Sequence, residues 1–144
     1  MISKTAIIYW SGTGNTETMA TAIAEGAKEV NPETVCFSVS DISADDAAGY
    51  ETLILGCPAM GAEVLEEDEF EPFFEALETK ISGKNVALFG SYGWGDGEWM
   101  RNWEEGVIGG GVNLIGGEGL IINETPDDSG LMRCREFGKT AAGI

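Results

Sequence analysis

Thr5-Ala-Ile-Ile-Tyr-Trp-Ser-Gly-Thr-Gly-Asn-Thr16 is the stretch on which the fold turns. Its first half, through Trp10, is a short continuous apolar run, the pattern of a strand buried on both faces of a parallel sheet. Its second half is a turn of glycine, hydroxyl and amide residues. Beyond it Met19, Ile23, Ala24 and Ala27 recur at helical spacing. A buried strand, a polar turn and a helix, in that order, open a βαβ unit. In open parallel sheets ligands bind beyond the C-terminal ends of the strands, so this turn is the first place to look for a site.

The same alternation continues outward. Val35, Phe37 and Val39 alternate with Cys36, Ser38 and Ser40, as on an edge strand with one less buried face. Thr52-Leu-Ile-Leu55 and Val86-Ala-Leu-Phe89 are two more apolar runs, ending at Gly56 and Gly90. Between them Phe70, Phe73, Phe74, Leu77 and Ile81 form a helical stripe, and Trp99, Trp103 and Val107 mark a further helix. Val112 to Ile122 reads as a last strand, interrupted by Gly116 and Gly117. Pro126-Asp127-Asp128 then opens a C-terminal helix, with Pro expected at the first helical position and Asp in the first turn. About five strand–helix alternations predict an α/β fold with helices on both faces of one parallel sheet. With no linker, repeat or low-complexity segment, residues 1–144 are expected to form a single domain.

Composition narrows the function. The chain of 144 residues has 25 acidic and 8 basic residues, a net charge of −17. Such a chain is repelled by nucleic acid phosphates and by anionic membranes, and favours partners with a basic patch. Histidine is absent, which removes the commonest general base and metal ligand. The three cysteines, Cys36, Cys57 and Cys134, are odd in number, widely spaced and without a CxxC. They read as small buried hydrophobes in a reducing cytoplasm, not as a disulfide framework or an iron–sulfur site. No signal peptide is expected, because Lys4 leads straight into the first strand, and no apolar run approaches the roughly 20 residues that span a bilayer. No metal site is expected.

Three loops fall at the C-terminal rim. The first, Ser11-Gly-Thr-Gly-Asn-Thr16, can turn backbone N–H groups inward, with the positive end of a helix dipole behind them. It holds no Lys for the outer phosphates of a nucleotide triphosphate and no Cys for a phosphatase. A pocket of neutral donors suits one terminal phosphate that stays bound and does not react. The alternative is an ordinary capped turn. The second loop, Cys57-Pro-Ala-Met-Gly-Ala-Glu63, and the third, Ser91-Tyr-Gly-Trp-Gly-Asp-Gly97, each present one large polarizable or flat side chain, Met60 or Trp94. On one edge, with a phosphate pocket, the two can sandwich a planar ring.

Tyr9-Trp-Ser-Gly-Thr-Gly-Asn-Thr16, Leu55-Gly-Cys-Pro-Ala-Met-Gly61 and Leu88-Phe-Gly-Ser-Tyr-Gly-Trp-Gly95 together resemble the three FMN-binding segments of the short-chain, clostridial-type flavodoxins. The similarity runs the length of the chain. It implies a three-layer sandwich around a five-stranded parallel sheet of order 2-1-3-4-5, the order for which flavodoxin is itself the standard illustration of the rim-binding rule. It also implies an FMN site. Ser11, Gly12, Thr13, Gly14, Asn15 and Thr16 would hold the phosphate. Met60 and Trp94 would cover the two ring faces. Pro58, Ala59, Gly61, Ala62, Glu63, Ser91, Tyr92, Gly93, Gly95 and Asp96 would bond the ribityl chain and ring edge, Glu63 at the flavin N3–H. Position 62 varies in the family; here it is Ala, without a polar side chain.

The implied function is that of a low-potential one-electron carrier using the semiquinone/hydroquinone couple of non-covalently bound FMN. It would move electrons between redox enzymes in place of ferredoxin, as a monomer and without substrate turnover of its own. The Gly61–Ala62 peptide would turn its carbonyl toward flavin N5, a bond worth on the order of 1 kcal/mol. Carboxylates around an uncompensated phosphate would oppose the negative charge of the second electron. Glu63, Glu66, Glu67, Asp68, Glu69 and Glu71 cluster beside the expected flavin edge. They read either as a docking face for basic partners or as carboxylates favoured at a helix start. An FMN-dependent reductase would need a second substrate pocket, and a phosphorelay receiver would need acidic residues where Ser11-Gly12 and Cys57-Pro58 stand.

Overall fold

In the computed structural model, which describes residues 4–61, 63–93 and 95–144, the apolar runs become the centre of one parallel sheet. Strands β1 (Thr5–Tyr9), β2 (Val35–Ser38), β3 (Thr52–Gly56) and β4 (Asn85–Tyr92) lie in the order β2-β1-β3-β4. Every neighbouring pair is parallel, with Ile7 opposite Ile54 and Ile54 opposite Ala87. Residues 5–8 and 52–56 are buried throughout, because helices cover both faces. At the edge, Cys36 is exposed on β2. It is therefore not the buried hydrophobe expected from its residue type; Cys57 and Cys134 are.

The last strand is divided. β5 (Asn113–Leu114) pairs with the beginning of β4 and β6 (Leu120–Asn123) with its end. The interruption at Gly116 and Gly117 is real, and both have positive φ. The detour bulges out of the sheet, and β6 then resumes the fifth position. The order 2-1-3-4-5 thus holds with six strands among the described residues.

Helices α1 (Asn15–Val30) and α5 (Asp128–Ala142) cover one face. The short α2 (Ala44–Ala47), α3 (Phe70–Glu78) and α4 (Glu98–Gly109) cover the other. On α1 the buried positions include Met19, Ile23, Ala24 and Ala27, as the spacing predicts. Ile81 is buried but lies past the end of α3. Asp127 is the N-cap of α5, accepting the N–H of Gly130 at 2.8 Å, so Pro126 precedes the cap and is not the first helical residue. A carboxylate that satisfies an orphan first-turn donor takes the cap position ahead of proline.

Candidate functional site at the C-terminal rim of the sheet

Because all strands run the same way, the loops after β1, β3, β4 and β6 emerge at one edge. The parallel ladder carries on into them. Trp10 N–H donates to Gly56 O (3.0 Å), Cys57 N–H to Phe89 O (3.1 Å) and Ala59 N–H to Ser91 O (3.0 Å). The loops are thus held by strand-like bonds and not by side chains alone. Between them lies a cavity of about 340 Å³, lined by Trp10, Gly12, Thr13, Asn15, Pro58, Ala59, Met60, Gly61, Ser91, Tyr92, Gly93 and Glu124.

The first loop is built around Ser11 and Gly14. Ser11 Oγ accepts the N–H groups of Gly14 and Glu17, both at 3.2 Å. Gly14 stands at φ +100 as the N-cap of α1, a conformation that any side chain would strain. It has no capping side chain of its own. Thr16 is buried and its hydroxyl lies 2.9 Å from that of Ser91, which ties the first loop to the third. Among the described residues no Lys or Arg lines the cavity, so an anion there would meet neutral donors and the N-terminus of α1.

The second loop closes on itself. Met60 N–H donates to Val64 O (3.0 Å) and Glu63 N–H to Met60 O (2.8 Å), with Glu63 at φ 57. Its continuation caps the next helix. The buried Glu66 carboxylate accepts the N–H groups of Asp68, Glu69 and Phe70, each at 2.8 Å. Burial alone would raise the Glu66 pKa; the three backbone donors outweigh it and hold the carboxyl below its ordinary value. The Cys57 thiol, accepting from Glu66 N–H at 3.4 Å, is pushed up to about 12 by burial, so it is an inert packing group.

The expected site residues divide by position. Gly12, Thr13, Asn15, Pro58, Ala59, Met60, Gly61, Ser91, Tyr92 and Gly93 meet at the cavity. Ser11, Gly14 and Thr16 shape its first loop from behind. Glu63 is set back: its Oε2 accepts the N–H of Trp99 at 2.9 Å, in the first turn of α4. Asp96 is drawn outward to Arg101, whose Nη2 lies 3.0 Å from its Oδ1, and that bond lowers the Asp96 pKa. Ala62 and Trp94 lie outside the described residues, so the peptide expected to turn and the second ring cover fall there as well.

Two contributors lie beyond the three loops read from the sequence. Trp10, the last residue of the opening apolar run, turns its ring over the first loop: a Cβ at Gly12 would sit 2.8 Å from it. The loop after β6 adds Glu124, which has φ 57 and donates its N–H to Tyr92 O at 2.6 Å. Asn123 Nδ2 bonds the carbonyls of Tyr92 (3.1 Å) and Gly93 (2.9 Å), and Thr125 Oγ1 lies 3.1 Å from Asn15 Oδ1. The signal for this loop was parallelism itself, since a fifth strand must end at the same rim.

The donor set fits a phosphate bearing a flat, largely apolar group. The lining combines the neutral polar side chains of Thr13, Asn15 and Ser91 with Trp10, Pro58, Met60 and Tyr92, and Glu124 is the one carboxylate in it among the described residues. The comparisons agree. Residues 7–138 match the family model described as Flavodoxin. The chain is 54% identical over 138 residues to a flavodoxin of Clostridium beijerinckii, covering 96% of this chain and 99% of that one. It is 46% identical over 136 residues to a flavodoxin of Megasphaera elsdenii, covering 94% and 96%. The solution structure of the two-electron reduced Megasphaera elsdenii flavodoxin superposes with a TM-score of 0.87 at 45% identity, over 97% of this chain and 99% of that one. With its strand order, rim cavity and near full-length similarity all pointing one way, the chain belongs to the flavodoxin family.

Proposed function

We infer that the protein binds one FMN non-covalently in the rim cavity and carries electrons one at a time between larger redox enzymes. Family membership supports the activity. The observation that carries it is one cavity joining Trp10, Gly12, Thr13 and Asn15 to residues 58–61, residues 91–93 and Glu124, with hydroxyl, amide and apolar side chains in its lining.

Bound FMN supplies the one-electron chemistry; the chain sets where it sits and how much negative charge it tolerates. Backbone N–H groups of residues 11–16 and the Thr13 hydroxyl hold the phosphate without neutralising it. Met60 would cover one ring face, and Trp94, outside the described residues, is expected to cover the other. Glu63, held through one oxygen by Trp99 N–H, would offer the other to the ring N3–H. The peptide after Gly61 would turn its carbonyl toward N5, a change that glycine permits most readily. The phosphate and the carboxylates of residues 63–71 oppose added negative charge, each by about 0.4 kcal/mol at ~10 Å in water and by more where the dielectric is lower. Several such charges make the carrier strongly reducing.

The same carboxylates form the docking face. Glu67, Asp68 and Glu69 are exposed beside the second loop, and a basic partner surface is drawn to them with a salt-sensitive on-rate. Family membership supports reading the protein as a carrier and not as an enzyme. Among the described residues no helix is long and apolar enough to cross a membrane. Three free cysteines suit a reducing cytoplasm, and we read residues 1–144 as one monomeric domain.

The test is a visible spectrum of the purified protein with FMN, followed by stepwise dithionite reduction. The protein is expected to be yellow and to take up two electrons at separated potentials. It should not sustain NAD(P)H oxidation with a quinone as acceptor. Protein that stays colourless with added FMN overturns the reading.

A further inference from the structure

Trp10 is not only a wall of the cavity. Its indole Nε1–H donates to Glu69 Oε1 at 3.2 Å, across 59 residues of sequence. Its ring packs over Gly12 in the first loop. Glu69 is in turn placed from behind: it is the N-cap residue of α3, and its own N–H is bonded to the Glu66 carboxylate at 2.8 Å. A continuous set of contacts therefore runs from the acidic segment through Glu69 to Trp10 and the first loop. Glu69 is exposed, while Trp10 is half-buried. The outer end of this connection is open to solvent and its inner end lies on the cavity.

We propose that Glu69 is a positioning residue for the cofactor site: it orients Trp10, and through Trp10 it shapes the loop that receives the phosphate. The proposal rests on reading the cavity as an FMN site. It gives Glu69 an effect on binding opposite in sign to that of its charge. As a bare anion near a phosphate, Glu69 weakens binding of an anionic ligand. As the acceptor that holds the indole, it strengthens binding.

The experiment is titration of apoprotein with FMN, followed by flavin fluorescence at low salt, for the unaltered protein, Glu69→Ala, Glu69→Gln, Trp10→Phe and the Glu69→Ala/Trp10→Phe double variant. Glu69→Ala is expected to weaken FMN binding about threefold, in keeping with one exposed hydrogen bond to a charged acceptor. The same change in the Trp10→Phe background, which lacks the indole N–H, is expected to cause no further weakening. Glu69→Gln keeps an acceptor oxygen and sheds the charge, so it should bind at least as tightly as the unaltered protein. Tighter binding in Glu69→Ala, or equal weakening by Glu69→Ala in both backgrounds, overturns the proposal and leaves the FMN reading intact. Failure of the unaltered protein to bind FMN overturns both.

Discussion

The two faces of the sheet are packed by opposite means. On one face, α1 and α5 meet backbone to backbone. A Cβ at Gly26 would overlap the carbonyl oxygen of Arg135, and one at Gly138 would overlap that of Ile23. Alanines fill the rest: Ala20, Ala24, Ala27, Ala141 and Ala142 are all buried. On the other face the helices are held off by rings. Phe70 and Phe74 meet Trp103 edge-on at 5.4 and 5.8 Å and stack on each other at 6.4 Å. There, among the described residues, the buried Trp103 indole N–H has no partner, and a cavity of about 240 Å³ opens beside it.

The difference bears on function. Helix α1 carries the first rim loop at its N-terminus, and its direct contact with α5 leaves it little freedom to shift. On the proposed reading, the phosphate end of the site thus belongs to the close-packed face. Helices α3 and α4 belong to the ring-packed face, and carboxylates of the second loop cap both: Glu66 bonds Phe70 N–H and Glu63 bonds Trp99 N–H. The acidic segment and the second loop sit on the face where a buried indole lacks a partner among the described residues and a cavity opens.

Four measurements sharpen or break this contrast. The largest effect is expected from Phe70→Ala, which removes the centre of the ring cluster and should cost about 4 kcal/mol in urea unfolding. A loss below about 1 kcal/mol would show that the cluster is not the core of that face. Next, Gly26→Ala should cost about 3 kcal/mol, because the obstruction is backbone and the helices must separate. A neutral result would mean that α1 and α5 are free to slide, contrary to the contact seen. Third, Glu66→Ala should cost about 2 kcal/mol by stranding three N–H groups. Since its folded pKa lies below the ordinary 4.5, its contribution is present above that value and lost as pH falls through the folded pKa. Glu66→Gln should accordingly flatten the acid limb of the stability curve, and an unchanged limb would remove Glu66 from the account. The smallest effect is expected from Met60→Ala, which should weaken FMN binding by about 1 kcal/mol and move the potentials. Unaltered affinity and potentials would dismiss Met60 as a ring cover.

The loops after β1, β3 and β4 were legible because each announces itself locally: an apolar run, then glycine, then a polarizable or hydroxyl residue. The last strand was legible as one unit with a flaw at Gly116 and Gly117, but not as two strands sharing β4. Cys36 misled because residue type was weighed above its place on an alternating edge strand. Glu63 was expected at the ring edge; the structure shows its carboxylate on the first turn of α4, a contact that no spacing reveals.

By itself the sequence determined the class of fold, the parallel sheet and the uncharged character of the first rim loop, since apolar runs, glycines and missing charges act on their near neighbours. Only the tertiary structure decided which distant residues meet there. Asn15 pairs with Thr125, Thr16 with Ser91 and Trp10 with Glu69, across 110, 75 and 59 positions. The physical reason is that strand order and helix packing set those distances jointly. A hydrogen bond between loops follows from where the whole sheet places them, which chain order does not encode.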